Sequence, residues 1–366
     1  MYKVLFDSTP FYWKYPSGIS IACHLLLNWL TKYGSLEYEG YNFGIRPFPT
    51  TDELKYSSRW IPAYNTWSKY VSCNLINRLY KKETKLSFLA TTHYLPPIKA
   101  IKYYMIHDCI KLRYPIEMKI DRKTHMLVMN KLIEYCDEII TVSQYSANDI
   151  RYFFGDKKPI HVVPLGIEDG FRHNSINKKE EVYDVYMKKI INEKKFIYTC
   201  GIIQERKRID WVLLLGKKTG YRVIITGAID NAGRNLFKKI CAEYSIVDVV
   251  YLGLVSRKTQ SYLYKKCILF VFPSLYEGFG MPVLEAMASG ALVMCSNGSS
   301  LPEIINDEDQ MFNVESKESF IKKAFKLLNL NEKDKTTKKQ ENIMLSENFS
   351  IEKRSRWLES ILSKDE

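Results

Sequence analysis

FPSLYEGFGMPVLEAMASG runs from Phe272 to Gly290, with Glu277 and Glu285 separated by seven residues and Gly278 and Gly280 beside the first of them. Its left flank, CILFVF from Cys267 to Phe272, is apolar and rich in β-formers, the pattern of a strand buried on both faces of a parallel sheet. Pro273 stops that strand. From Met281 the apolar residues recur at Leu284, Met287 and Ala288, a helical spacing, with Pro282 where a first-turn proline is tolerated and Gly290 placed to end the helix. The stretch therefore reads as strand, glycine turn, helix.

A turn of this kind points backbone N–H groups at whatever lies above the strand's carboxyl end, and the helix dipole adds partial positive charge there. Gly278 and Gly280 lack a Cβ, so a ligand is expected to lie against the backbone of Gly278, Phe279, Gly280 and Met281. The two glutamates cannot be phosphate ligands, because both are anionic, but a carboxylate accepts hydroxyl hydrogen bonds. A ligand with a diphosphate between two polyhydroxylated rings uses all of these groups. Its sugar falls on Glu277, its phosphates on the N–H groups of about Met281 to Leu284, a stretch that holds Val283 and the donor-less Pro282, and its ribose on Glu285 in the first helical turn. Such a ligand is a nucleotide sugar.

The 366 residues suffice for two buried cores, and 46% apolar residues is a globular composition. No run approaches the roughly eighteen apolar residues of a membrane span. The start, MYKVLFDSTPFYW, has an aspartate where a signal peptide has its apolar core, so a cytoplasmic location is expected, with peripheral contact on the membrane's cytoplasmic face left open. The eight cysteines include no Cys-x-x-Cys pair and read as buried free thiols rather than as disulfides or a zinc site; no metal is expected. A net charge of +13, spread over the chain, favours anionic partners. Nucleic acid is not the expected one, since neither a stacking platform nor a helix-turn-helix signal accompanies the charge; a basic nucleic-acid-binding protein is the remote alternative.

Both halves alternate strand and helix. In the first, strands are expected at YKVLFD, Leu86–Thr91, Lys102–Ile106, Glu138–Val142 and His161–Val163, with helices at Ile19–Tyr33, Thr124–Tyr135 and Ser146–Tyr152. A charged stretch follows VVPLGI. The second half restarts at FIYTCG, with strands expected at Arg222–Thr226, Val249–Leu252, Leu269–Phe272 and Leu292–Cys295. The implied organisation is an acceptor-binding domain over residues 1–170, a hinge at 171–195 and a nucleotide-sugar-binding domain over 196–347. Ser350 is placed to cap a final helix, within 348–366, whose apolar face of Ile351, Trp357, Leu358, Ile361 and Leu362 is expected to pack back on the first half. Two doubly wound parallel sheets place the expected ligand site at the carboxyl ends of their strands, in an interdomain cleft.

The segment around Glu277 and Glu285 resembles the signature of the retaining glycosyltransferases of family 4, and further motifs extend the resemblance over nearly the whole chain in order. SGI at Ser17–Ile19 looks like the family's N-terminal glycine loop, with Ser17 and Gly18 in place of the usual glycine pair. IHD at Ile106–Asp108 looks like the His-Asp element of a bacterial mannosyltransferase-like subgroup. TVSQYSANDI at Thr141–Ile150, VVPLGI at Val162–Ile167, GIIQERK at Gly201–Lys207, GLVS at Gly253–Ser256 and SSLPEI at Ser299–Ile304 complete the set. What the resemblance implies is the GT-B fold, two Rossmann-like domains, with a C-terminal helix crossing back to the first. It also implies roles. Arg206 and Lys207, beside Gly201, would meet the donor diphosphate; His107 would meet the transferred sugar, with Asp108 next to it; and Val255 would meet the nucleotide base. A duller reading makes the basic triplet Arg206–Arg208 a solvated helix start and Asp108 the cap of a turn. The family often has an arginine after its phosphate-turn glycine, where this chain has Ile202, which shifts weight onto Arg206 and Lys207.

The expected activity is retaining transfer of a hexose from a nucleotide diphosphate sugar to a hydroxyl of a glycan or lipid-linked acceptor, without metal or other cofactor. The subgroup resemblance favours GDP-mannose as donor, with UDP-glucose next. A nucleotide-sugar epimerase of the same architecture is the alternative; it would turn over donor without acceptor. Acceptor recognition is expected in the first half, where Tyr56 to Tyr94 interleaves aromatic and basic residues.

Overall fold

The computed structural model describes residues 2–7, 36–44, 57–62, 85–91, 95–96, 98–172, 193–245 and 247–363. The expected helix at 19–33, the loop holding Ser17 and Gly18, residues 173–192 of the expected hinge and most of the Tyr56 to Tyr94 segment lie outside them. The chain divides into two compact units, one comprising Met1–Gly166 with Ser350–Glu366 and the other Ile167–Phe349.

The first unit is built on seven parallel strands: β1 (Tyr2–Asp7), β2 (Glu37–Gly44), β3 (Ser57–Pro62), β4 (Lys85–Ala90), β5 (Ile101–Met105), β6 (Glu138–Thr141) and β7 (Ile160–Val162), in the order β3-β2-β1-β4-β5-β6-β7. β1, between β2 and β4, buries Val4, Leu5 and Phe6 completely, as a central parallel strand with both faces covered must. β2 and β3 escape sequence reading. EYEGYNFG carries two glycines and no regular alternation, and SSRWIP ends in a proline, which a sheet tolerates at an edge such as this one.

Helices α1 (Ile110–Arg113), α2 (Arg122–Tyr135) and α3 (Gln144–Phe154) follow β5 and β6. Asp121 and Ser143 open α2 and α3 by accepting backbone N–H bonds, which satisfies donors that have no partner within the helix. α2 contributes Met129 and Ile133 to a core with Leu5, Phe88, Tyr104 and Ile139.

The second unit has six parallel strands: β8 (Phe196–Cys200), β9 (Arg222–Thr226), β10 (Val249–Tyr251), β11 (Leu269–Phe272), β12 (Val293–Ser296) and β13 (Met311–Phe312), in the order β10-β9-β8-β11-β12-β13. Its helices are α4 (Ile209–Thr219), α5 (Asn231–Glu243), α6 (Arg257–Lys266), α7 (Met281–Ala288), α8 (Lys317–Leu328) and α9 (Glu332–Glu347). All four residues of β11 are buried, between β8 and β12, and Trp211 of α4 packs on Phe312 and Phe320. Both units are thus doubly wound parallel sheets, the fold class the alternation predicts.

The terminal helix Ile351–Leu362 belongs to the first unit. Ser350 caps it, Leu358 and Leu362 are fully buried, and its last carbonyls accept from Ser87 Oγ (to Leu362 O, 2.6 Å) and Tyr103 Oη (to Ile361 O, 2.8 Å). Trp357, expected on the apolar face, is instead 42% exposed, with Arg354 near its ring. Cys109, Cys136, Cys200, Cys267 and Cys295 are buried free thiols and Cys241 is a half-buried one. Among the described residues no helix is long and apolar enough to cross a membrane.

Candidate functional site

In the second unit the chain winds outward from β8 through β9 to β10, then returns to lay β11 against the other side of β8. The loops after β8 and β11 therefore diverge, which is where open α/β sheets leave a crevice for ligands. These two loops are Gly201 to Lys207 and Pro273 to Gly280, the segments singled out from sequence. They are tied together: Leu275 N donates to Arg206 O (2.8 Å), and Arg206 Nη1 donates to Tyr276 O (3.0 Å).

The two cations expected on a diphosphate converge on Glu277. Its Oε1 accepts a hydrogen bond from the Lys207 ammonium and lies 3.4 Å from Arg206 Nη1. The Arg206, Lys207 and Glu277 side chains are 8%, 8% and 14% exposed, so the Arg206–Arg208 triplet is not a solvated helix start. Burial alone would raise the Glu277 carboxyl, but the charges of Lys207 and Arg206 outweigh it and hold the group below the usual carboxylate range. Burial pulls the Lys207 ammonium down, against the opposing charge of Glu277. Lys207 also sits 4.7 Å from the Phe272 ring centroid. Gly201, directly after β8, takes φ +129°, a conformation that favours glycine, and faces Lys207, whose Cε would lie in ordinary contact, 3.4 Å from a Cβ there.

The turn after Glu277 is held by the segment after β12. Ser299 Oγ accepts from Glu277 N (2.8 Å), while Ser300 Oγ makes short contacts with both Glu277 O (3.0 Å) and Phe279 O (2.7 Å). Gly280 is also required by packing. Its φ is +111°, and a Cβ would stand 2.5 Å from Leu301 Cδ2 and 3.1 Å from Ile304 Cδ1, so this glycine lets the turn close on the SSLPEI segment. The start of α7 is also less rich in N–H groups than expected. Pro282 has none, and Val283 and Leu284 direct theirs to Gly280 O at 2.9 and 3.4 Å. Within Met281 to Leu284, this leaves Met281 as the residue nearest the turn.

Glu285 lies in the second turn of α7, not the first, and is only 2% exposed. Its Oε1 accepts from Arg257 Nη2 (2.6 Å), and its Oε2 from Tyr264 Oη (3.1 Å) and Gln260 Nε2 (3.3 Å). Burial raises the Glu285 carboxyl above its usual range, against the opposing charge of Arg257. Arg257, Gln260 and Tyr264 escaped sequence reading. Their signal was spacing: positions i, i+3 and i+7 of α6 share one helix face. Val255 is half-buried two residues before Arg257, in the loop that Gly253 anchors by accepting from Gly227 N (2.8 Å).

In the first unit His107 is half-buried in the segment after β5, and its carbonyl accepts from Ser146 Oγ (3.1 Å). Asp108 Oδ1 accepts from Ile110 N (2.9 Å), a local turn that leads into the short helix α1, whose N-cap is Cys109. The nearby ion pair Arg113–Asp149 (2.5 Å) ties α1 to α3.

Residues 186–343 match the family model of the glycosyl transferases group 1. The chain is 54% identical over 222 residues to an O-antigen chain mannosyltransferase B of Escherichia coli, a match covering 58% of each chain. It is 30% identical over 217 residues to the Escherichia coli serotype-specific mannosyltransferase WbdA, across 57% of this chain and 26% of that one. The matched stretch thus spans about a quarter of the length of WbdA. Among solved structures, a sucrose-phosphate synthase from Thermosynechococcus elongatus superposes with a TM-score of 0.75 at 15% identity, over 99% of this chain and 98% of that one.

Proposed function

We propose that this chain, which has the GT-B fold and whose residues 186–343 match the group 1 glycosyl transferases, transfers a hexose, mannose in first place, from a nucleotide diphosphate sugar to a glycan hydroxyl. The observation that carries this reading is the cluster Lys207, Arg206 and Glu277 at the switch point between β8 and β11. Departure of a nucleoside diphosphate builds negative charge. Two nearly buried cations sharing one carboxylate leave a net positive charge to meet it, in a setting preorganised by backbone bonds. Glu277 is left to accept hydroxyls of the transferred sugar, and Glu285, in the second turn of α7, those of the ribose.

The names of the mannosyltransferase relatives support mannose as the transferred sugar and an O-antigen-type chain as acceptor; GDP-mannose is the donor proposed, ahead of UDP-glucose. Transfer is proposed to retain anomeric configuration, with Lys207 and Arg206 acting on the leaving phosphate, His107 on the transferred sugar and no metal in the step. A cytoplasmic site of action is part of the proposal. The test is incubation of purified protein with GDP-mannose or UDP-glucose and glycan acceptors, followed by chromatography and by proton NMR of the new anomeric centre. Acceptor-dependent release of nucleoside diphosphate with an α-linked product supports the proposal. A new nucleotide sugar formed from donor alone would make the protein an epimerase.

A further inference from the structure

Glu285 is a carboxylate with almost no access to water, and what surrounds it is uneven. From α6 it receives Arg257 on Oε1 and Tyr264 and Gln260 on Oε2; from β8 it faces Tyr198 and the Cys200 thiol, which can supply no positive charge. Glu168 adds a second negative charge behind Arg257, 3.3 Å from its Nη2. The positive charge at the cluster is the Arg257 guanidinium, whose side chain is 36% exposed and lies 4.3 Å from the centroid of the Phe171 ring. That ring, with Glu168, belongs to the segment by which the chain enters the second unit. The segment is fixed by Ser261 Oγ donating to Gly170 O (3.1 Å) and Ser289 Oγ to Phe171 O (3.3 Å). Arg257 is thus held on three sides, by an anion, a ring and a second anion, and it leaves one lone pair of Glu285 Oε1 unspent.

We propose that Arg257 is a positioning residue for nucleotide recognition: by clamping Glu285 Oε1 it presents this buried carboxylate, as an acceptor, to the ribose hydroxyls of the donor. The proposal rests on the reading of Glu285 as the ribose residue. It uses Arg257's charge and not only its bulk. Without the guanidinium, the buried carboxyl has no cation to offset its desolvation and takes up a proton more readily, and a protonated carboxyl donates where it must accept.

The test is calorimetric titration of GDP-mannose and of UDP-glucose into the wild type, Arg257→Gln, Arg257→Lys and Glu285→Gln, from about pH 5.5 to 8.5. Neither donor has a group that titrates in that range. Wild type is expected to bind its preferred donor with little pH dependence. Arg257→Gln is expected to bind more weakly by at least about tenfold at the acid end and to recover as pH rises, by up to tenfold per unit for one linked proton. Arg257→Lys, which keeps the charge and guards against a variant that fails to fold, is expected to stay flat. A loss in Arg257→Gln that is the same at every pH, or a Lys variant that follows the Gln variant's profile, overturns the proposal. Glu285→Gln separates the two layers. If it binds donor as tightly as wild type, the ribose reading itself is wrong; if it binds weakly while Arg257→Gln is pH-independent, only the role of Arg257 falls.

Discussion

Replacing Glu277 by Gln keeps the side chain's shape and removes its charge, leaving Lys207 and Arg206 facing each other at 8% exposure. Breaking a buried ion pair by deleting one partner costs about 3–5 kcal/mol when the remaining charge has nowhere to go. Here the cost is reduced, because Arg206 keeps its bond to Tyr276 O (3.0 Å) and Lys207 keeps the Phe272 ring at 4.7 Å. A loss of roughly 2–4 kcal/mol is therefore expected; in a unit of this size each kcal/mol lowers Tm by about 2–4 °C, giving a drop of roughly 5–15 °C. The diagnostic is the double variant Glu277→Gln/Lys207→Met, which removes the stranded ammonium. It is expected to be more stable than the sum of the single changes by about 2 kcal/mol or more, a coupling that contacting residues show and distant ones do not. Calorimetric melting of the four proteins measures it. Additive single effects, or a Glu277→Gln protein that melts with the wild type, would refute the pairing that the site is built on.

The two glutamates should respond oppositely to pH. The folded Glu277 carboxyl is depressed, so its stabilisation is present above the unfolded value near 4.3 and lost as pH falls through the folded one; the deficit of Glu277→Gln should shrink on acidification. The folded Glu285 carboxyl is raised, so its contribution is fullest below the unfolded value and lost as pH rises through the folded one. The stability of Glu285→Gln against urea should therefore rise relative to wild type across that range. Gly280→Ala should lower the urea midpoint by about 2–4 kcal/mol of stability, combining a positive φ with a Cβ 2.5 Å from Leu301 Cδ2; adding Leu301→Ala should not make it worse by that side chain's full cavity cost. Leu358→Ala, in the fully buried face of the terminal helix, should cost about 2–5 kcal/mol in the same assay.

How far these features could be read in the chain itself depended on where the physical signal was local. The strand, turn and helix around Glu277 announce themselves because an apolar run, a proline and a helical stripe are contiguous, and the strands from Phe196 to Cys295 follow for the same reason. β2 and β3 were missed because their glycines and Pro62 read as loop, and only pairing with β1 makes EYEGYNFG a strand. Lys207 and Glu277 were both named, but their mutual contact was not, since sixty-nine intervening residues separate them and nothing in either segment announces the other. Glu285 was placed one turn too early and Arg257 was overlooked, because its partner lies on another helix. The need for Gly280 to make room for Leu301 is likewise invisible in the chain, because Leu301 lies in a different segment.

The central claim is that one ligand with two rings is divided between two carboxylates, and it is tested most directly by titrating wild type, Glu277→Gln and Glu285→Gln with the best-binding nucleotide sugar and with its nucleoside diphosphate. The account predicts that Glu277→Gln weakens the nucleotide sugar by about tenfold or more, while leaving the nucleoside diphosphate unchanged or tighter, and that Glu285→Gln weakens both. Equal losses for both ligands in both variants, or none in either, would contradict it.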